Sequence, residues 1–151
     1  VGKMTDVIAT ENVKLIVFRL LDKEYAIPVQ QVRAIEKVLH ITRVPRTESF
    51  VKGVINLRGI VLPIIDLQKR FGIGKILPND DTRIIIVQME TMEVGLLVDA
   101  ANDVIDIPKE IIEPQPDIVD MAKAEFISGV AKVDKRLLLL INLEQVLSPL
   151  K

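Results

Sequence analysis

The sequence predicts a mainly β fold, built as two small five-stranded β-barrel subdomains related by a pseudo-two-fold, with short helices. Three observations carry this expectation. Val and Ile together number 40 of the 151 residues, and β-branched side chains at that density favour pleated sheet. The chain also repeats itself. Finally, each half reads as five short strands, a sheet too small to leave its edges open, and closure into a barrel removes them.

The repeat emerges when the sequence is slid along itself. A shift of 69 lays Ile16-Val17-Phe18-Arg19-Leu20 on Ile85-Ile86-Val87-Gln88-Met89, Glu24 on Glu93, Ile27 on Leu96 and Val32 on Ala101. A shift of 76 lays Gly53-Val54-Ile55 on Gly129-Val130-Ala131, and Pro63-Ile64-Ile65-Asp66-Leu67 on Leu139-Leu140-Ile141-Asn142-Leu143. Aliphatic strands resemble one another by chance, but here the Glu, Gly and Asp/Asn punctuation falls into line too. The expected organisation is a single domain, 13–151, with approximate barrels 13–72 and 83–147. Exchange of terminal segments between the barrels is left open. Residues 1–12 form a flexible N-terminus, and a groove runs between the barrels.

The elements follow in order. Val13 to Leu20, the polar turn Leu21-Asp22-Lys23-Glu24 and Tyr25 to Val29 make a hairpin. Gln30 to Lys37 carries Val32 and Ile35 three apart and predicts a short amphipathic helix with both on one face. Ile41-Thr42-Arg43-Val44 alternates and stops at Pro45, which predicts a strand. Gly53–Leu57 and Ile60–Ile65 are strands joined at Arg58-Gly59, where Gly59 supplies the positive φ a tight turn wants. Asp66 caps a helix, Leu67–Phe71, that Gly72 ends. The second half offers strands Arg83–Met89, Glu93–Val98, Val104–Ile107, Gly129–Val133 and Arg136–Ile141, then a helix Leu143–Leu147. Gly72–Asp81 and Pro108–Ala124 read as a linker and a long loop.

Composition removes several functional classes. Without cysteine there is no disulfide, thiolate nucleophile or zinc ribbon. The single histidine, His40, leaves no His-based metal site or histidine pair. Twenty basic and 21 acidic residues give net charge −1, hence no overall field to attract nucleic acid. No apolar run approaches a membrane span and no secretory segment opens the chain; Val1-Gly2-Lys3-Met4 reads as residues appended ahead of a natural start.

The remaining candidates are weak as chemistry. Gly72-Ile73-Gly74-Lys75 lacks both the earlier glycine and the following Ser/Thr of a phosphate loop and reads as a helix C-cap. Asp80, Asp81, Asp99, Asp103, Asp106 and Glu110 lack calcium-loop spacing and read as solvated charge. No catalytic, metal or cofactor site is expected. Arg58 draws more attention, as an arginine between two apolar strands that suits anchoring a partner helix; a solvated turn arginine is the competing reading.

Several segments together resemble the CheW family of bacterial chemotaxis coupling proteins. They are Val17-Phe18-Arg19-Leu20, Glu24-Tyr25-Ala26-Ile27-Pro28-Val29, Ile41-Thr42-Arg43-Val44-Pro45, the run from Phe50 to Leu67 with Gly53-Val54-Ile55-Asn56-Leu57-Arg58-Gly59 at its centre, Val94-Gly95-Leu96-Leu97-Val98-Asp99, and Ile127-Ser128-Gly129-Val130-Ala131. The resemblance covers about residues 13 to 147 and implies two five-stranded barrels. It also implies a non-enzymatic adaptor that couples the cytoplasmic tip of methyl-accepting chemoreceptors to the histidine kinase CheA, in the cytoplasm and recruited to membrane-associated arrays. Receptor binding maps to Val32, Ile35, Gly53 and Arg58 along the groove, and kinase binding to Ile41, Thr42, Arg43 and Val44. Some members carry a glutamate where this chain has Ala34; the nearest acid, Glu36, is expected on another face. On this reading Gly53→Asp loses receptor binding and stays folded.

The alternative within the fold is a CheW-like regulatory domain of a larger kinase, which the absence of phosphotransfer and ATP-binding segments disfavours. A small-barrel nucleic-acid binder would need a basic face with stacking aromatics, and only five aromatics are present.

Overall fold

The structure is a computed structural model describing residues 11–114 and 124–150. Its strands are β1 (Asn12–Leu20), β2 (Lys23–Pro28), β3 (Val32–Lys37), β4 (Val51–Leu57), β5 (Ile60–Asp66), β6 (Arg83–Met89), β7 (Met92–Val98), β8 (Ala100–Pro108), β9 (Ile112–Pro114), β10 (Ile127–Val133) and β11 (Arg136–Ile141). Helix α1 (Leu67–Phe71) follows β5 and α2 (Leu143–Leu147) follows β11.

Two sheets form. The first runs β8-β1-β2-β11-β10-β9 and the second β3-β6-β7-β5-β4. The internal repeat maps one order onto the other, β8 to β3, β1 to β6, β2 to β7, β11 to β5 and β10 to β4. Each sheet has one parallel pair, at equivalent places: β2 with β11 and β7 with β5. The sheets do not divide the chain between the ranges 13–72 and 83–147. The second sheet takes consecutive residues, 32 to 98, while the first joins the opening hairpin to β8–β11.

Both sheets close on themselves, which is what makes them barrels. In the first, the chain leaves β8, makes a single 3₁₀ turn at Lys109–Ile111, and pairs through β9 with β10 at the far edge. In the second, Thr42 and Val54 exchange backbone hydrogen bonds of 2.8 Å, tying the segment after β3 to β4.

Three local expectations are corrected. The stretch Gln30–Lys37 is a 3₁₀ turn at Val29–Gln31 followed by strand β3 rather than a helix. Half-buried Val32, Ala34 and Glu36 alternate with exposed Arg33, Ile35 and Lys37, a period of two; ladder pairing with β6 outweighs the three-residue spacing. Ile41–Val44 forms only the bridge at Thr42, because Pro45 lacks an N–H and Arg46, at φ 62°, turns the chain away. Within the expected loop 108–124, a 3₁₀ turn and β9 are formed, and a second 3₁₀ turn, Ala124–Phe126, starts at its end; its residues 115–123 and the N-terminal residues 1–10 lie outside the described residues.

The helix ends are as expected. Asp66 Oδ1 accepts the Lys69 N–H at 3.2 Å, and Asn142 Oδ1 accepts the Gln145 N–H at 3.2 Å, 76 positions on. Gly72, at φ 74°, closes α1.

β1 is buried on both faces. Leu15 and Val17 join a small core with Ala26, Ala131 and Leu138. Ile16 and Phe18 join a larger core that also holds Ile85 and Leu96 of the second sheet. The barrels meet across that larger core. Phe18, Tyr25, Phe71 and Phe126 form a line with ring centroids 5.8, 5.6 and 5.2 Å apart. Arg70 completes the junction, its guanidinium lying 4.7 Å from the Phe50 ring and 4.4 Å from the Phe126 ring. Those two phenylalanines are themselves 76 residues apart, so Arg70 sits between repeat-related partners. It donates to the carbonyls of Val146 and Gln145, each at 2.9 Å, at the end of α2. Burial pulls its guanidinium below the usual range, with Glu125 and Glu48 opposing.

Candidate functional site

The residues expected to bind partners lie in or beside the second barrel. Arg58 and Gly59 are the two central residues of the β4–β5 turn, and both have positive φ, 52° and 86°. That suits the twist of a two-residue hairpin, and Asn56 Oδ1 fixes the turn by accepting the Gly59 N–H at 2.9 Å. The Arg58 side chain is 79% exposed and approaches Glu36 on β3 to 4.0 Å. A pair at that distance, with Arg58 open to solvent and Glu36 half-buried, contributes little stability, so the guanidinium can leave it at little cost.

Val32 and Ile35 do not share a face. A bulge between Val32 and Ala34 offsets the β3 ladder; Val32 packs against the core and Ile35 turns outward, 41% exposed. Glu36 lies two residues beyond Ala34 on the same side of the strand, which corrects the expectation that it faces elsewhere. Its contact with Arg58 places an acid close to the position vacant at Ala34.

Gly53 is buried. A Cβ built on it would lie 2.2 Å from the Thr42 carbonyl oxygen and 2.8 Å from Ile41 Cγ2. The structure therefore joins a residue of the expected receptor set to two of the expected kinase set. Of the latter, Ile41 is half-buried against the core, Thr42 is the bridge residue, Arg43 is exposed, and Val44 lines a shallow apolar groove with Val51, Val54 and Pro63.

A pocket that the linear reading missed opens beside Arg58, lined by Ala34, Leu57, Ile60, Leu62 and Glu93 among others. Its origin lies in the repeat. At the matching place in the first barrel, Arg136 makes a bidentate pair with Glu24, at 3.0 and 2.9 Å, and reaches Asp103 at 3.3 Å. The hydrogen bonds that Arg136 donates to Glu24, and then to Asp103, raise its guanidinium above the usual range. The shifts of 69 and 76 carry Glu24, Asp103 and Arg136 to Glu93, Ala34 and Ile60. The triad dissolves and leaves a recess. Comparing the two halves position by position is the signal that could have found it.

Among the described residues, no group of three or more His, Cys, Asp or Glu could hold a metal ion, and no helix is long and apolar enough to cross a membrane. Paired closed barrels that present an exposed arginine, exposed aliphatic side chains and shallow recesses define a protein-interaction module. The chain belongs to the CheW-like family, whose model, described as CheW-like domain, matches residues 14–151. It is 46% identical over 134 residues to a chemotaxis protein CheW of Bacillus subtilis, covering 89% of this chain and 86% of the relative. It is 41% identical to a probable chemotaxis protein CheW of Rhizobium etli, with 89% and 87% covered. Among solved structures, the scaffolding protein TtCheW of Thermoanaerobacter tengcongensis is similar with a TM-score of 0.83 at 40% identity, covering 90% of this chain and 88% of that one. The role is that of a chemotaxis scaffold adaptor.

Proposed function

We propose that this adaptor couples the cytoplasmic tip of methyl-accepting chemoreceptors to the regulatory domain of the histidine kinase CheA, working in the cytoplasm at membrane-associated arrays and without catalysing a reaction. The receptor-facing residues are Arg58 and Ile35, with the core-packed Val32 and the buried Gly53 shaping the strands behind them. The kinase-facing residues are Ile41, Thr42, Arg43 and Val44. The observation that carries the reading is Arg58 itself, held by a hairpin turn, mostly exposed, and flanked by Ile60, 54% exposed, and Val61, 61% exposed. A helix laid across such a surface gains both apolar contact and a charged anchor. Moderate affinity per contact suffices, because linked contacts in an array add avidity. The near-full-length match to relatives named chemotaxis protein CheW favours the adaptor over a regulatory domain cut from a larger kinase.

The test is separate titration of Arg58→Ala against a receptor-tip fragment and a CheA regulatory fragment. Truncating an anchoring arginine costs about 2 kcal/mol, so receptor affinity falls about thirtyfold while kinase affinity holds. Receptor affinity within about twofold of the parent, less than ~0.5 kcal/mol, overturns the receptor assignment.

A further inference from the structure

The second barrel carries a concentration of positive charge that the adaptor reading does not use. Arg43, Lys52, Lys69 and Lys75 line a single recess, together with Ser49, Val51 and Asp66. The four cations come from the bridge segment, β4, α1 and the loop after α1, so folding gathers them from places well apart in the chain. None of the four has an ion-pair partner among the described residues. Lys69 Nζ donates to the Ser49 carbonyl at 3.3 Å. The one carboxylate in the recess is spent internally: Asp66 is 2% exposed, and its oxygens accept the Lys69 N–H at 3.2 Å and the Ile76 N–H at 2.9 Å. The recess thus carries four cations against one buried carboxylate, on a chain whose net charge is −1.

The repeat shows that the fold does not require this charge. Thr42 bridges Val54 as Glu113 pairs with Val130, which matches Arg43 with Pro114. The shift of 76 matches Lys52 with Ser128 and Lys69 with Gln145. Capping and strand geometry recur at these places in the first barrel, whereas the cations do not.

The recess also adjoins the groove of Val44, Val54, Pro63 and Leu150, with Val51 lining both and Arg46, Thr47 and Glu48 completing the groove. A free phosphate would satisfy the cations and leave the groove empty. A protein segment that sets carboxylates beside an aliphatic residue would fill both. We infer that this recess is a docking site for an acidic-aliphatic segment of a protein partner, its carboxylates held by Arg43, Lys52, Lys69 and Lys75. The inference stands apart from the receptor assignment and shares only Arg43 and Val44 with the proposed kinase surface.

The experiment follows backbone amide shifts of the full chain during addition of a blocked hexapeptide alternating glutamate and leucine, of its glutamine counterpart, and of inorganic phosphate. The expected result is saturable shifts centred on Arg43, Lys52, Lys69 and Lys75 with the acidic peptide alone. They weaken as salt rises from ~0.05 M to ~0.5 M and the screening length shortens. Lys52→Gln combined with Lys75→Gln weakens the peptide by about tenfold, as loss of two partly exposed charge contacts implies. Lys75→Gln alone, at an exposed loop position, gives a smaller loss should the double variant melt early. Shifts scattered over lysines elsewhere, equal binding of the glutamine peptide, or phosphate matching the acidic peptide would each overturn the inference.

Discussion

The α-carbon of Gly53 rests against the carbonyl oxygen of Thr42 so closely that a methyl group there would stand 2.2 Å from that oxygen. Two mutual backbone hydrogen bonds, between Thr42 and Val54, fix this approach beside the glycine and close the second barrel. Gly53 adopts φ 154°, outside the usual range of L side chains.

The first prediction follows from that contact. Gly53→Ala destabilises the protein by about 2–4 kcal/mol, the cost of overpacking against backbone that must shift. Gly59→Ala costs only about 1 kcal/mol, because nothing lies within 4 Å of its added Cβ and only the φ of 86° is strained. Urea melts of the two variants compare them directly. The structure therefore argues against a Gly53→Asp protein that loses a partner and keeps its fold; a melt of that variant like the parent's would contradict the packing described.

Arg58 separates folding from binding more cleanly. It holds φ 52° as an ordinary L residue, so Arg58→Gly removes backbone strain together with the side chain. The expected outcome is a melting temperature equal to or slightly above the parent's, with receptor-tip affinity reduced as for Arg58→Ala. A clear loss of stability would mean that the contact with Glu36 does more than its distance suggests.

Tyr25 supplies a test by pH. It is the only tyrosine in the chain, is fully buried, and its hydroxyl is the one buried side-chain polar atom without a hydrogen-bond partner among the described residues. Burial, and secondarily the Asp22 charge, push its pKa up to about 12 from 10.0. The folded state thus holds the proton more tightly than the unfolded state. The resulting stability is complete below pH 10, falls between pH 10 and pH 12 by about 3 kcal/mol in all, and is gone above. Alkaline titration followed by tyrosinate absorbance is expected to show ionisation coupled to unfolding. Tyr25→Phe removes an orphaned hydroxyl, is neutral or stabilising by ~1 kcal/mol, and abolishes that pH dependence.

Arg70 tests the junction between barrels. Arg70→Met keeps much of the aliphatic stem but loses two hydrogen bonds to α2 and the contacts with Phe50 and Phe126. A loss of about 2–3 kcal/mol is expected in a thermal melt. Arg70→Lys recovers only part of it, since an ammonium cannot make the forked contact in the same plane.

Most of the architecture was legible because the repeat is written in residues whose roles are geometric. Asp66 and Asn142 cap, and the hairpin matches strand for strand. The partition of strands between sheets was not legible: β6 follows β5 in sequence equally well in either arrangement, and only the register of β7 on β5 shows which barrel receives it. Val32 and Ile35 misled through a spacing of three, which shares a face in a helix but falls on opposite faces of a period-two strand. Arg58 was visible as an isolated cation between apolar runs. The recess beside it was not, because it results from side chains that are missing relative to the first barrel.

The order of strands in the two sheets bears on how the chain is made. The second barrel draws on one uninterrupted stretch, residues 32 to 98, and is complete once that stretch has left the ribosome. The β1–β2 hairpin emerges earlier but has no sheet to join until β8 to β11 follow. Its pairing of Ala26 with Leu140 joins residues 114 positions apart, the kind of long-range closure that slows folding. During synthesis the β1–β2 hairpin thus emerges before the second barrel and is enclosed after it, with Phe18 and Tyr25 waiting on Phe126 to complete their aromatic row.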